Sequence, residues 1–585
     1  MTSYTAPLRD MQFVLEEVIG LDQVTTLPGY DEVSDDLVRA VLAEAGKFGA
    51  EVLAPLNRGG DTQGARLENG VVTTALGFAN AYKSFVDGGW NGLVCDPQFG
   101  GQGLPWLVAM PVSEIWDSAN LAFSLCPMLT LSAIELLTTH GNDDQRAIYL
   151  EKLVSGTWTG TMNLTEPQAG TDIGAIRCRA IKDGDHYRLT GQKVFITWGE
   201  HDVAENIIHM VLARVQGAPD GVKGLSLFIV PKFLVKTDGT LGSRNDLRCV
   251  SLEHKLGIHG SPTAVMSYGN SGGAIGYLVG EESRGIEYMF TMMNNARLAV
   301  GLEGVAIAER AYQQAREYAA SRIQGRAADG APAALDRHPD VRRTLMTMKC
   351  RIEAMRALAY SVAASLDIAR RHPDSETRAR QRSRIDLLVP IVKAWSTDQG
   401  VEIASMGVQI HGGAGFIEET GAAQHYRDAR ITPIYEGANG IQALDLVNRK
   451  VLGDRGAAAA ELLDEMRTFV YSGNDIGGDG ALAEAVGSLQ RATDWMVANG
   501  MPDAAAGATP YLELFGIVVG GYLMARSASI ADSRLAEDIG EASFYRAKIA
   551  TAEFYAGNVL PRAGGLERAA TSGAELLIAM AEDAL

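Results

Sequence analysis

Twice along this chain the hydrophobic period changes, and those changes limit the fold more tightly than any one motif. Apolar residues recur at spacings of three and four across 36–52, 78–87, 109–116 and 132–153, as amphipathic helices require. Near Trp158 the period falls to two. Candidate strands then run at 159–164, 178–183, 186–189, 192–197, 206–214 and 225–231, joined by D-G and G-Q turns, with more at 250–256, 264–268 and 277–279. After Glu281 the helical period returns. Residues 285–322 read as one long helix despite Gly301 and Gly304, a polar linker follows at 325–339, and helices are expected at 341–371, at 384–410 with Pro390 as a kink, and at 441–451. The expected fold class is multidomain α+β. An N-terminal extension at 1–34 holds a short helix at 11–18 and a breaker at Leu27, Pro28 and Gly29. An N-terminal α domain follows at 35–157, then a middle antiparallel, barrel- or sandwich-like β domain at 158–280. A C-terminal four-helix bundle at 281–453 is succeeded by an additional alanine-rich helical domain at 454–585, with loops at 473–480 and 502–510 and a packing or subunit-contact role.

A chain of 585 residues exceeds one ordinary core and has room for a large cofactor. Its net charge of -19 opposes sequence-independent grip on nucleic acid or on anionic membranes, while leaving room for a local basic pocket. Cys95, Cys126, Cys178, Cys249 and Cys350 are odd in number, widely spaced and never in a C-x-x-C pair, which predicts reduced thiols with neither a disulfide framework nor a zinc site. The N-terminus carries Arg9, Asp10, Glu16 and Glu17 instead of a basic-then-apolar leader, and the longest apolar run, 514–525, is too short to span a bilayer. A cytoplasmic protein without membrane insertion is expected.

The stretch 429–449, A-R-I-T-P-I-Y-E-G-A-N-G-I-Q-A-L-D-L-V-N-R, mounts a carboxylate on a turn before a helix: Pro433, Gly437 and Gly440 resist helix, and apolar spacing resumes at Ile441. Taken alone, Glu436 is either a helix cap or a catalytic carboxylate.

Further motifs decide between these. M-N-L-T-E-P-Q-A-G-T-D at 162–172 closely resembles a signature of the acyl-CoA dehydrogenase family. Matches follow in the family's order: Q-K-V-F-I-T-W-G-E at 192–200, H-K-L-G-I-H-G-S-P-T at 254–263, G-V-Q-I-H-G-G-A-G-F at 407–416 and Y-E-G at 435–437. The opening at 4–18, the segment 276–294 and the extra C-terminal domain are similar to a long subgroup of that family, which includes enzymes acting on 3-methylmercaptopropionyl-CoA.

The resemblance implies FAD as cofactor and a set of roles. Thr165 and Thr197 match threonines that hydrogen-bond the flavin ring, the backbone of Leu164 matches a contact to its pyrimidine edge, and Gly170 and Phe195 belong to the same cofactor-binding motifs. Thr171 matches a serine near pyrophosphate and acyl-CoA. Arg322 and Gln324 match residues reaching the diphosphate of the neighbouring subunit's FAD, and Gln409, Gly412 and Gly413 match its adenosine-side cradle. Glu436 matches the catalytic base, and Arg297 matches an arginine near it with an electrostatic role. The implied reaction removes the α-proton of an acyl-CoA while hydride leaves the β-carbon for flavin, giving the trans-2-enoyl-CoA. The Glu436 N–H and a ribityl hydroxyl would stabilise the enolate oxygen. The leading substrate is 3-methylmercaptopropionyl-CoA. Alternatives are a short- or medium-chain acyl-CoA, a flavin oxidase or monooxygenase on the same fold, or a non-catalytic binding subunit. The implied partners are an electron-transfer flavoprotein and a second copy of the chain, as homodimer or higher. Departures from the family pattern stand at Phe195, in place of a tryptophan, at Ala438, in place of a threonine, and in R-I-Q-G-R at 322–326, which lacks the usual phenylalanine. His259 is read as loop structure.

Overall fold

The computed structural model describes residues 4–236, 238–327, 330–476 and 480–584. Parts of three expected segments therefore lie outside the described residues: 1–3 of the extension, 328–329 of the linker and 477–479 of the 473–480 loop. The chain forms two compact units. One comprises Met1–Gly46, Pro105–Ser118 and Val300–Leu585, the other Lys47–Leu104 and Ala119–Ala299.

The second unit is built on eight strands: β1 (Trp158–Asn163), β2 (Arg179–Asp183), β3 (His186–Thr197), β4 (Asn206–Val215), β5 (Leu225–Pro231), β6 (Leu247–Leu252), β7 (Thr263–Tyr268) and β8 (Ala274–Val279). Their order is β6-β7-β3-β8-β5-β4-β1. β2 pairs with both β3 and β4, which closes β3-β8-β5-β4-β2 into a ring and removes the free edges there. Two features depart from expectation. The sheet is mixed rather than antiparallel, because β1 and β2 both run parallel to β4. The β2–β3 hairpin fills the long crossover that a parallel β1–β4 pair requires. The two expected strands at 186–189 and 192–197 are one strand, since the G-Q pair is not a turn. At Gly191 a Cβ would meet the Cys178 Cα at 2.9 Å, so glycine serves close strand approach there. The core gathers the inner strand faces, including Leu189, Met210, Phe228 and Met266, against Leu129, Ala133 and Leu137 of α1 (Trp106–His140).

α1 merges the expected helices at 109–116 and 132–153 as far as His140, with non-helical backbone at Asn120, and the next helix restarts at Asp143 from the Asn142–Gln145 capping box. In the first unit α2 (Gly285–Ser321, from Val300 on), α3 (Pro339–Arg371), α4 (Ser375–His411) and α5 (Asn439–Asp445) form the bundle. Gly304 lies where α2 crosses α4, and a Cβ there would stand 2.4 Å from the Ser396 carbonyl oxygen. That crossing explains glycine inside a long helix. Pro390 is accommodated within continuous helix. The 325–339 linker includes a small hairpin of Ile323–Arg326 with Pro332–Ala334.

The C-terminal segment adds α6 (Ala508–Ala536) and α7 (Ala542–Asn558), and most of the expected 502–510 loop is helical. Contrary to the reading of 514–525, α1 and α6 are each long and apolar enough to cross a bilayer. Their apolar windows, however, are 78% and 83% buried inside the protein.

Buried charge ties the N-terminal arm to this unit. Arg356 of α3 donates to Glu114 at 2.6 Å, to Glu309 at 2.9 Å and to Asp10 of the arm. Lys548 of α7 pairs with Glu353 at 3.0 Å and also with Asp10. Asp367 accepts from Tyr30 at 2.7 Å and from the first amides of α1, Trp106 and Leu107, at 2.9 Å, capping that helix with a buried carboxyl. Replacing Arg356 by Met strands Glu114 and Glu309 without their cation. A loss of about 3–5 kcal/mol is expected, read as a lowered midpoint in chemical denaturation.

Candidate functional site

Glu436 stands in a turn, three residues before α5, with φ of +55°, and Gly437 follows at +90°. Left-handed backbone at a non-glycine residue costs on the order of 1–3 kcal/mol and persists only where the surroundings impose it. Here they do. Lys393, buried on α4, donates to the Gly437 carbonyl at 2.9 Å and to Asn439 Oδ1 at 2.8 Å. The Asn439 amide donates back to α4, to the Ala394 carbonyl at 3.0 Å, Thr397 Oγ1 at 2.9 Å and Asp398 Oδ1 at 2.8 Å. Gln442 donates to the Glu436 carbonyl at 3.3 Å. The carboxylate is half-buried, on a turn locked to a helix at both ends.

Its electrostatic surroundings are acidic. Tyr435 donates to Glu303 of α2. Burial, then the charges of Asp117 and Glu436, push the Glu303 carboxyl well above the usual range, against the Tyr435 hydrogen bond and Lys393. Burial, then Glu303, raises the Tyr435 phenol as well, so it stays a donor.

In the other unit the expected flavin-motif residues gather at the ends of β1 and β3. Lys193 donates to the Leu164 carbonyl at 2.9 Å and to Glu166 at 2.8 Å. Glu166 also accepts from the Arg177 amide at 2.7 Å and the Cys178 amide at 3.0 Å. Against the desolvation of burial, Lys193 and these amides hold Glu166 below the ordinary carboxylate range. The Val194 amide donates to the Thr165 carbonyl at 2.9 Å, and Thr161 donates to the Thr197 carbonyl at 2.7 Å, so Thr165 and Thr197 flank one stretch of β3. Among the described residues neither hydroxyl has a protein partner. Between them β3 bulges against β7: Val194 and Phe195 face one residue, and Phe195 takes φ of +61° and is 62% exposed. Thr171 and Gly170 lie on the exposed loop beyond, and a Cβ at Gly170 would meet nothing within 4 Å.

The remaining expected residues lie on α2, at the small hairpin and at the end of α4. Arg297 is buried on α2 in this same unit and donates to Asn294 at 3.3 Å. Arg322 and Gln324 are exposed around the start of the small hairpin of the first unit. Gln409, Gly412 and Gly413 are exposed at the C-terminal end of α4, Gly412 with φ of +60° and open space at the Cβ position of both glycines. Lys393, Asn439, Gln442 and Glu303 were not foreseen. Two of them carry a legible signal, a lone charge inside an apolar helical run: L-L-V-P-I-V-K-A-W and L-A-V-G-L-E-G-V-A.

Comparison with known proteins shows four family models matching in order. Acyl-CoA dehydrogenase N-terminal domain covers residues 35–157, the middle domain 161–270, the C-terminal domain 283–452, and an acetyl-CoA dehydrogenase C-terminal-like model 462–581. The chain is 50% identical over 571 residues to the 3-methylmercaptopropionyl-CoA dehydrogenase of Ruegeria pomeroyi, covering 95% of this chain and 96% of that one. It is 34% identical to the broad-specificity linear acyl-CoA dehydrogenase FadE5 of Mycobacterium tuberculosis, covering 96% of each. The solved structure of an acyl-CoA dehydrogenase complexed with FAD from Bacillus anthracis shares the fold at a TM-score of 0.73 and 18% identity, covering 98% of this chain and 92% of that one.

The lock on the turn gives a direct test. Lys393→Met leaves the Gly437 carbonyl and the Asn439 side chain without their charged donor. The expected cost is about 1.5–3 kcal/mol for each such bond, measured by urea denaturation against the wild type.

Proposed function

The chain belongs to the acyl-CoA dehydrogenase family, whose members are FAD-dependent oxidoreductases, and from that premise we propose that Glu436 is its catalytic base and 3-methylmercaptopropionyl-CoA its substrate. The observation that carries the base assignment is the locked left-handed turn, which fixes where one half-buried carboxylate points. Support for the substrate comes from the relative at 50% identity over 95% of this chain. A second reading, a broader range of linear acyl-CoAs, draws on the 34% relative.

The residue set suits a flavin. Two hydroxyls without protein partners flank the exposed Phe195, and the Leu164 backbone beside them is held by Lys193. Bound FAD would supply the acceptor for the β-hydride. Thr165 and Thr197 would donate to its ring, and the exposed Arg322, with five guanidinium donors, would reach the diphosphate of a neighbouring subunit's FAD. Glu436 takes the α-proton on its carboxylate, while its backbone N–H donates to the thioester oxygen on which negative charge develops. The product is the trans-2-enoyl-CoA, methylthioacryloyl-CoA for the proposed substrate. An electron-transfer flavoprotein would take the electrons onward, in the cytoplasm. We further infer a homodimer or larger homo-oligomer, in which Arg322, Gln324, Gln409, Gly412 and Gly413 serve a partner's cofactor. Their exposure, and that of Ile323 at 60% and Phe416 at 86%, supports this reading.

The test is anaerobic bleaching of the purified yellow protein by a panel of acyl-CoA thioesters, including the methylthio one. The methylthio substrate is expected to bleach fastest, and Glu436→Gln to keep its flavin while slowing bleaching by about 10²–10⁴-fold. A colourless protein, or full rate in the mutant, would sink the assignment. Faster reduction by straight-chain thioesters would move the substrate to the second reading.

A further inference from the structure

Glu303 interrupts an apolar stretch of α2, is buried, and has no part in the reaction just described. Tyr435, the residue before the base, donates to its Oε2. The other oxygen, Oε1, is buried and has no hydrogen-bond partner among the described residues. Four groups face it: Asp117 from α1, Tyr435 and Glu436 from the turn, and Lys393 from α4. A carboxylate in that position would leave one oxygen unsolvated beside two other acids, an arrangement that a proton relieves.

We propose that Glu303 is a positioning residue for the Glu436 base, holding Tyr435 and the left-handed turn in place and standing as an uncharged neighbour to the carboxylate that takes the proton. The inference rests on Glu436 being the base. Burial and the neighbouring charges of Asp117 and Glu436 all favour the protonated form of Glu303. Glu303 then holds a proton, leaving the charge on the half-buried Glu436. The proton taken from substrate then goes to Glu436, and Glu303 stays neutral throughout. Raising the pH finally ionises Glu303, places a second anion against the turn, and slows the reaction.

Glu303→Gln cannot ionise yet still accepts from Tyr435, and Glu303→Ala removes the acceptor. In the holoenzyme, anaerobic flavin bleaching is followed from mildly acidic to alkaline pH. The Gln variant is expected to bleach within about threefold of wild type at neutral pH and to lose the alkaline decline. The Ala variant is expected to fall by about tenfold or more in rate, with KM and flavin content little changed. An activity-independent reading comes from infrared difference spectra at neutral pH, where wild type should show a protonated-carboxyl C=O band that Glu303→Gln lacks. A pH profile of the Gln variant that superimposes on wild type, an Ala variant at full rate, or absence of that band overturns the proposal. Should the Ala variant not fold, the Gln profile and the band decide alone. Failure of the base reading looks different: wild type would not bleach, or Glu436→Gln would retain full rate, whatever Glu303 does.

Discussion

A buried ammonium pinning one carbonyl is the interaction on which the rest of the first unit's chemistry depends. Lys393 reaches from α4 to the Gly437 carbonyl and to Asn439, supplying the charged bonds that help hold Glu436 in a backbone conformation that its side chain disfavours. The packing that lets Lys393 do this is itself constrained. Gly304 allows α2 to cross α4 at backbone contact with Ser396, one turn along α4 from Lys393. That crossing also brings Glu303 to the turn, through Tyr435. Helix approach, turn geometry and the electrostatics around Glu436 are therefore linked.

The extension and the added C-terminal helices share in this arrangement. Asp10 joins Arg356 and Lys548 in a buried network, Glu17 pairs with Arg534 at 2.8 Å, and Phe13 packs edge-on against Phe544 at 5.5 Å. The arm thus binds the added domain to α3 through groups that would be costly to bury singly. α6 in turn packs against both α4 and α5, so the helix that follows the Glu436 turn has support on two sides. A packing role for the added domain follows from these contacts.

Much of this was legible in the sequence because it depends on period. Alternation of apolar residues located the strands of the second unit to within a few residues, and spacings of three and four located α2 and α3. What pairs with what was not legible. The parallel β1–β4 pair depends on how the β2–β3 hairpin fills the crossover, and no residue of β1 announces direction. Gly191 misled because glycine before a polar residue suits a turn as well as a close strand approach. The resemblance brought attention to Glu436, Thr165 and Thr197, while of the residues that hold them Lys393 shows only as a lone charge in an apolar run, and Lys193, after Thr190, Gly191 and Gln192, carries no such signal.

The buried charges share a logic. An isolated buried lysine or glutamate is expensive, so a folded chain that retains one must satisfy it with hydrogen bonds, pair it, or neutralise it. Lys193 is paired with Glu166 and tied to the Leu164 carbonyl, and Lys393 is bonded to the 437–439 turn, so each ammonium fixes the main chain next to a proposed functional residue. Glu303 takes the third course, its burial favouring the protonated form. The proposed base, gaining and losing a proton beside Glu303, would benefit from this division, because a further fixed anion would repel the enolate that proton removal creates. Of the two carboxyls that meet at the turn through Tyr435, the more deeply buried Glu303 is then the one that holds a proton, and the half-buried Glu436 is the one left to carry the working charge.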